Sequence, residues 1–182
     1  MKRITILFSF LIVCLITVAQ TPTAAPKPAP ELKQLHLFLG HWTYECEYQA
    51  GPLGPASKST GEYTDQMVLG GFFMKGVWKE KGPNGEAEGL EIFGYDPASK
   101  TIAGNGYMND GSTYSGTVTT NGNTATNAVK FVIGGKTYET KATITYAADG
   151  MSAEWKAEIS DGKTWVPWFE QKMTKVKPAA KK

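Results

Sequence analysis

Arginine occurs once in these 182 residues, at position 3, while histidine and cysteine occur twice each. Each scarcity closes off a class of chemistry. Arg3 stands inside a run that reads as an export signal, so the rest of the chain has no guanidinium to grip phosphate or carboxylate through paired hydrogen bonds. A nucleic-acid partner is not expected, because the basic stripe that would neutralise phosphates is missing. Cys14 lies in the same run, which leaves Cys46 without a disulfide partner, and no Cys/His spacing matches a zinc site. No metal and no cofactor are expected. Catalytic groupings are equally scarce: no Ser/His/Asp set, no facing pair of carboxylates and no phosphate-cradling loop can be placed.

What is present starts with "MKRITILFSFLIVCLITVAQ". Lys2 and Arg3, an apolar run from Ile4 to Ala19 and small residues near Ala19 make residues 1–19 a secretory signal peptide. A retained anchor competes with this reading, since the run approaches the length that spans roughly 30 Å of hydrocarbon. The ending "TVA" and the loose "QTPTAAPKPAP" favour cleavage. The expected location is therefore exported, periplasmic or extracellular, with no stable membrane insertion after signal cleavage. Val13 before Cys14 sets lipidation aside. Cleavage removes two of the 19 basic residues and leaves a formally neutral chain against 17 acidic ones. Residues 20–30 read as a Pro/Ala-rich tether, 31–176 as one domain and 177–182 as a basic, solvated tail.

"PELKQLHLFLG" predicts one short N-terminal helix, with Pro30 in its first turn, Leu32, Leu35 and Leu39 at helical spacing and Gly40 as its stop. Beyond it the chain is strand and turn. Breaks at 50–55, 69–71, 81–86, 96–100, 109–112, 120–123, 133–136, 148–150 and 160–163 supply Asn-Gly, Asp-Gly and Gly-Gly pairs suited to tight hairpins. They divide the domain into about ten short strands, each most simply paired with its sequence neighbour. The fold class expected is all-β, an antiparallel up-and-down β-barrel. Closure removes exposed edges, and a barrel of this strand count encloses more space than its side chains readily fill. A two-sheet sandwich fits the same turns but leaves no cavity.

Alternation assigns the faces. Trp42, Tyr44, Cys46 and Tyr48 turn inward, as do Tyr63, Asp65, Met67 and Leu69, then Phe72, Met74, Gly76 and Trp78. Trp155, Ala157 and Ile159 follow, then Phe169, Gln171 and Met173. "TIAGNGYMN", "STYSGTVTT" and "NTATNAVKF" have few large apolar residues, which makes either a thin wall for a ligand to rest against or a set of twisted, partly solvated strands. Asp65 is the sharpest residue: an inward carboxylate must be hydrogen-bonded or have its pKa raised. It either orients a ligand hydroxyl or amine or partners a tyrosine near the rim. The other carboxylates read as a solvated outer face. His41 reads as a rim residue and Cys46 as a buried, inert thiol.

"FLGHW" after a short helix resembles the Gly-x-Trp opening of lipocalins and the wider calycin group, in which the tryptophan packs across the closed end of the barrel. "QMVLGGFFMKGVW" followed by "GLEIFGYDPASK" resembles more closely a bacterial lipocalin-like family, domain of unknown function 1579, over the span from Leu35 to Met173. The resemblance implies a calycin-type barrel without an established activity. Related nitrobindin-like barrels hold heme through a histidine on a late strand, whereas this chain has only His36 and His41.

The expectation that follows is a barrel binding a small apolar or amphipathic molecule. Its candidate ligand-binding residues are Trp42, Tyr44, Cys46, Tyr63, Asp65, Met67, Met74, Trp78, Trp155 and Phe169; none is assigned a catalytic role. The rivals are a structural or interaction module of the cell envelope with a filled barrel and, below it, a barrel enzyme using Asp65 and a tyrosine.

Overall fold

A computed structural model describes residues 25–177, so the signal-peptide reading and all but the first residue of the basic tail lie outside the described residues. A 3-10 helix, Pro30–Leu37, precedes ten strands. These are β1 (Gly40–Tyr48), β2 (Ser57–Val68), β3 (Phe73–Gly82), β4 (Gly85–Asp96) and β5 (Thr101–Met108). They continue as β6 (Thr113–Asn121), β7 (Thr124–Ile133), β8 (Lys136–Tyr146), β9 (Ser152–Ser160) and β10 (Trp165–Lys175). Every strand pairs antiparallel with its sequence neighbours, and β1 pairs with β10 to close the barrel. All nine sequence breaks fall at strand boundaries. Among the described residues no helix is long and apolar enough to cross a membrane.

Register is written on the outer face. Lys58 stands opposite Glu47, Lys79 opposite Glu88, Lys81 opposite Glu86, Lys130 opposite Glu139, Lys141 opposite Glu158 and Lys156 opposite Glu170. Each forms an ion pair at 2.6–3.5 Å. Exposed pairs add little stability, but a one-residue slip would break them and turn the aromatic face outward.

The helix plugs the end where β1 begins. Leu32 and the fully buried Leu35 pack with Met74, Phe93, Ile102 and Val118. Trp42, 1% exposed, lies beside this plug and donates from Nε1 to the Phe38 carbonyl at 2.8 Å, the closed-end position that the Gly-x-Trp resemblance implies. Gly40, at φ 126°, provides the turn from helix into β1 that a side-chain-bearing residue rarely adopts. Leu69 departs from its expected place: β2 ends at Val68, and Leu69 is 74% exposed in the turn, where alternation no longer applies.

The glycines of the wall have a different use from either one expected of them. Tyr44 stands opposite Gly61, Trp78 opposite Gly89, Phe93 opposite Gly104 and Tyr114 opposite Gly106. In each pair the inward ring lies over the glycine so closely that a Cβ there would overlap it. Of the strands with few large apolar residues, β5 is thus a floor on which rings of β4 and β6 lie. Gly106→Ala is therefore expected to cost about 1–3 kcal/mol in urea unfolding, because the added methyl overpacks against Tyr114. Gly51→Ala, which meets only ordinary contacts at 3.8 Å or beyond, should stay within about 0.5 kcal/mol of the parent.

Candidate functional site

Inside the barrel is a cavity of about 270 Å³. Leu53 of the loop after β1, Met108 at the end of β5 and Ile133 at the end of β7 line it, so it reaches toward the end opposite the helical plug. Larger hollows, up to about 1090 Å³, lie on the outer wall beside side chains such as Ile92 and Tyr107. They are shallow, and the buried polar groups described below belong to the interior.

The inward faces of β1–β3 place Tyr44, Tyr63, Asp65, Met74 and Trp78 on the cavity, and β9 and β10 add Trp155 and Phe169. Tyr63 and Trp155 are tilted rings 6.1 Å apart, and Trp155 meets Phe169 edge-on at 5.5 Å. Trp42, Cys46 and Met67 are not on the lining. Trp42 and Cys46 are packed into the wall's core, and Met67 lies against the cluster beneath the helix. Burial pushes the Cys46 thiol up to about 12, so it stays protonated at neutral pH. His41 is on the outside, its Nε2 2.9 Å from Glu62.

Among the lining residues outside the candidate set, Glu80, Glu91, Tyr114 and Trp168 bring charge or large rings into the cavity. The expectation that every carboxylate other than Asp65 faces solvent is corrected by two of them. Glu80 shares the parity of Trp78 on β3 and accepts hydrogen bonds from Tyr44 at 3.0 Å and Tyr48 at 3.0 Å. Glu91 is flanked by Leu90 and Ile92, so its strand's hydrophobic pattern points the wrong way. Counting back from the β3–β4 hairpin, which sets Trp78 opposite Gly89 and Gly76 opposite Glu91, places it inside. Trp168 would face out by alternation, but a bulge between Pro167 and Phe169 turns it inward, where its ring meets Phe131 at 5.5 Å and Phe169 at 5.0 Å. Pro167 inside a strand is the sequence signal for that bulge.

Asp65 of β2 and Glu91 of β4 face one another across Gly76 of β3. Oδ1 of Asp65 and Oε1 of Glu91 lie 2.5 Å and 2.9 Å from the point a Cβ on Gly76 would occupy. Tyr114 donates to Glu91 at 2.6 Å and receives the Trp78 indole N–H at 3.3 Å. Asp65 is only 9% exposed, and its Oδ1 has no hydrogen-bond partner, tyrosine or other. Burial raises the Asp65 carboxyl well above the usual range, and the negative Glu91 raises it further. Burial raises Glu91 too, with the Tyr114 hydrogen bond opposing it. Among the described residues no lysine, arginine or histidine lines the cavity to offset this charge.

A family model described as "Protein of unknown function (DUF1579)" matches residues 27–175. Among solved structures, the M. tuberculosis protein Rv2717c is 12% identical, with a TM-score of 0.62 over 83% of this chain and 100% of its own. The S-type phycobiliprotein lyase CPES from Guillardia theta is 10% identical, with a TM-score of 0.50 over 85% of this chain and 100% of its own. At these identities the likeness is one of fold. No curated protein matches the sequence.

A carboxyl whose folded pKa is raised holds its proton more tightly in the folded chain. The stability it contributes is complete below the ordinary carboxylate pKa of about 4 and is lost as pH rises through the raised value. The groups facing Asp65 are Glu91 of β4 and Tyr146 of β8, with Tyr114 of β6 bound to Glu91. Thermal unfolding followed by near-UV circular dichroism should therefore show a higher midpoint at pH 5 than at pH 8. Asp65→Asn should raise the pH 8 midpoint and narrow that gap; an unchanged gap would place the titration in other residues.

Proposed function

This chain belongs to the DUF1579 family of lipocalin-like barrels, and we propose that it is an exported carrier that holds a small apolar or amphipathic molecule inside the barrel. The observation that carries this reading is the interior hollow itself, walled by Tyr44, Tyr63, Trp78, Trp155, Trp168 and Phe169. Affinity comes mainly from burying ligand surface at about 25 cal/mol per Å² of apolar area, and a few polar groups set orientation. The volume is just below the roughly 300–1,000 Å³ usual for ligand pockets, which favours a compact molecule over a long-chain lipid. The absence of a basic lining side chain disfavours a fatty acid.

The filled envelope module is the reading to test against, since Trp42, Ile144, Tyr146, Ala153 and Met173 already fill part of the interior solidly. Native mass spectrometry of the protein purified from its own compartment should show a retained small molecule. Ala142→Leu, directed at a cavity-lining position, should abolish retention while leaving urea stability unchanged or higher. Empty protein, no tryptophan fluorescence change across a lipid and terpenoid panel, and a loss of about 1–3 kcal/mol from overpacking in Ala142→Leu would establish the filled module instead.

Export is a separate part of the proposal, supported by the basic start and apolar run of residues 1–19. Expression of the full chain in a bacterial host should yield, in the periplasm or medium, an intact mass that begins at Gln20. Uncleaved protein confined to the cytoplasm would overturn it.

A further inference from the structure

We propose that the Asp65–Glu91 pair receives the protonated nitrogen of a small amine, whose apolar body lies among the cavity's rings. This rests on reading the hollow as a ligand site and names the class of ligand it takes. Two carboxylates enter the interior from β2 and β4 and converge over Gly76, where their ends fill the space a side chain would take, and both residues line the cavity. Asp65 Oδ1 is an orphaned acceptor on the cavity wall, and Asn127 Oδ1 from β7 is a second. Among the described residues, the orphaned donor on that wall is the Trp155 indole N–H.

This pattern discriminates among ligands. An anion meets carboxylates with no basic side chain to offset them. A neutral hydrocarbon fits the rings but leaves both acceptors unmatched in a low-dielectric space. A divalent cation needs about six or more oxygen ligands, and among the described residues no group of three acidic, histidine or cysteine side chains gathers around a metal-sized point. An ammonium group is a compact cation with three donors and no acceptor. It satisfies Asp65 and Glu91 together, and the aromatic rings on the same cavity wall receive the amine's apolar body.

The ammonium replaces the proton that the buried pair otherwise retains, so binding releases a proton and tightens from pH 5 to pH 8. The groups around the pair are Tyr63 on β2, Tyr114 on β6 and Tyr146 on β8, all tyrosines whose burial keeps them protonated over this range.

Isothermal titration of the folded protein with 2-phenylethylamine and with its neutral counterpart, 2-phenylethanol, tests this. The amine should bind at least tenfold more tightly at pH 8, release a proton when measured in buffers of different ionisation enthalpy, and lose that preference at pH 5. Asp65→Asn and Glu91→Gln should each bring the two ligands within about threefold of one another, with the near-UV spectrum of the parent retained. Equal or tighter binding of the alcohol to the parent protein would overturn the inference and leave the carrier reading standing. Binding of neither probe, while a neutral member of the lipid and terpenoid panel binds, would have the same meaning. Failure of every compound to bind would remove both.

Discussion

Strand β1 hydrogen-bonds along its length to β2, its neighbour in sequence, and to β10, at the far end of the domain. Without that second pairing the sheet would have two free edges and no inside. With it, alternate residues of every strand are divided between an enclosed space and solvent, and the charge pattern follows the division. Lysine and glutamate pairs sit across the outer face, while Asp65, Glu80 and Glu91 are held within. Closure therefore governs both the stability of the wall and the electrostatic character of the interior.

A closed wall of ten strands still has to avoid collapsing on itself or filling with its own side chains. Here inward rings lie flat on glycines of the adjacent strand, which consumes wall thickness in place of central volume. The same device leaves a gap at Gly76, into which two carboxylates point. Their raised pKa values mark a place where the fold holds charge-bearing groups that a purely structural barrel would replace by leucine or valine. Local conflict of this kind, inside an otherwise consistent pattern, marks a functional or strained position.

Much of this was legible in the residue order because hairpins write their own signals. Asn-Gly and Asp-Gly pairs marked the turns, and period-two alternation placed Tyr44, Asp65, Trp78 and Trp155 on the inner face before any coordinates. The inward position of Glu91 is obscured because Leu90 and Ile92, its neighbours on β4, face outward; hydrophobicity alone points that strand the wrong way, and register from the hairpin corrects it. Trp168 was missed because a bulge breaks the parity on which alternation depends. Gly104 and Gly106 of β5 could not be interpreted from their own strand, since their meaning lies in the rings of Phe93 and Tyr114 on the strands beside it.

The helical plug closes one end of the cylinder, and the hollow reaches from beneath it toward the other. The chain enters the barrel at Pro30 on the plugged side, and β10 finishes on that same side, where the Val176 amide donates to the His41 carbonyl at 2.8 Å. Both leads of the polypeptide thus depart from the stoppered base, and a fusion partner or surface attachment made through either one would leave the mouth facing outward, clear of its own mooring.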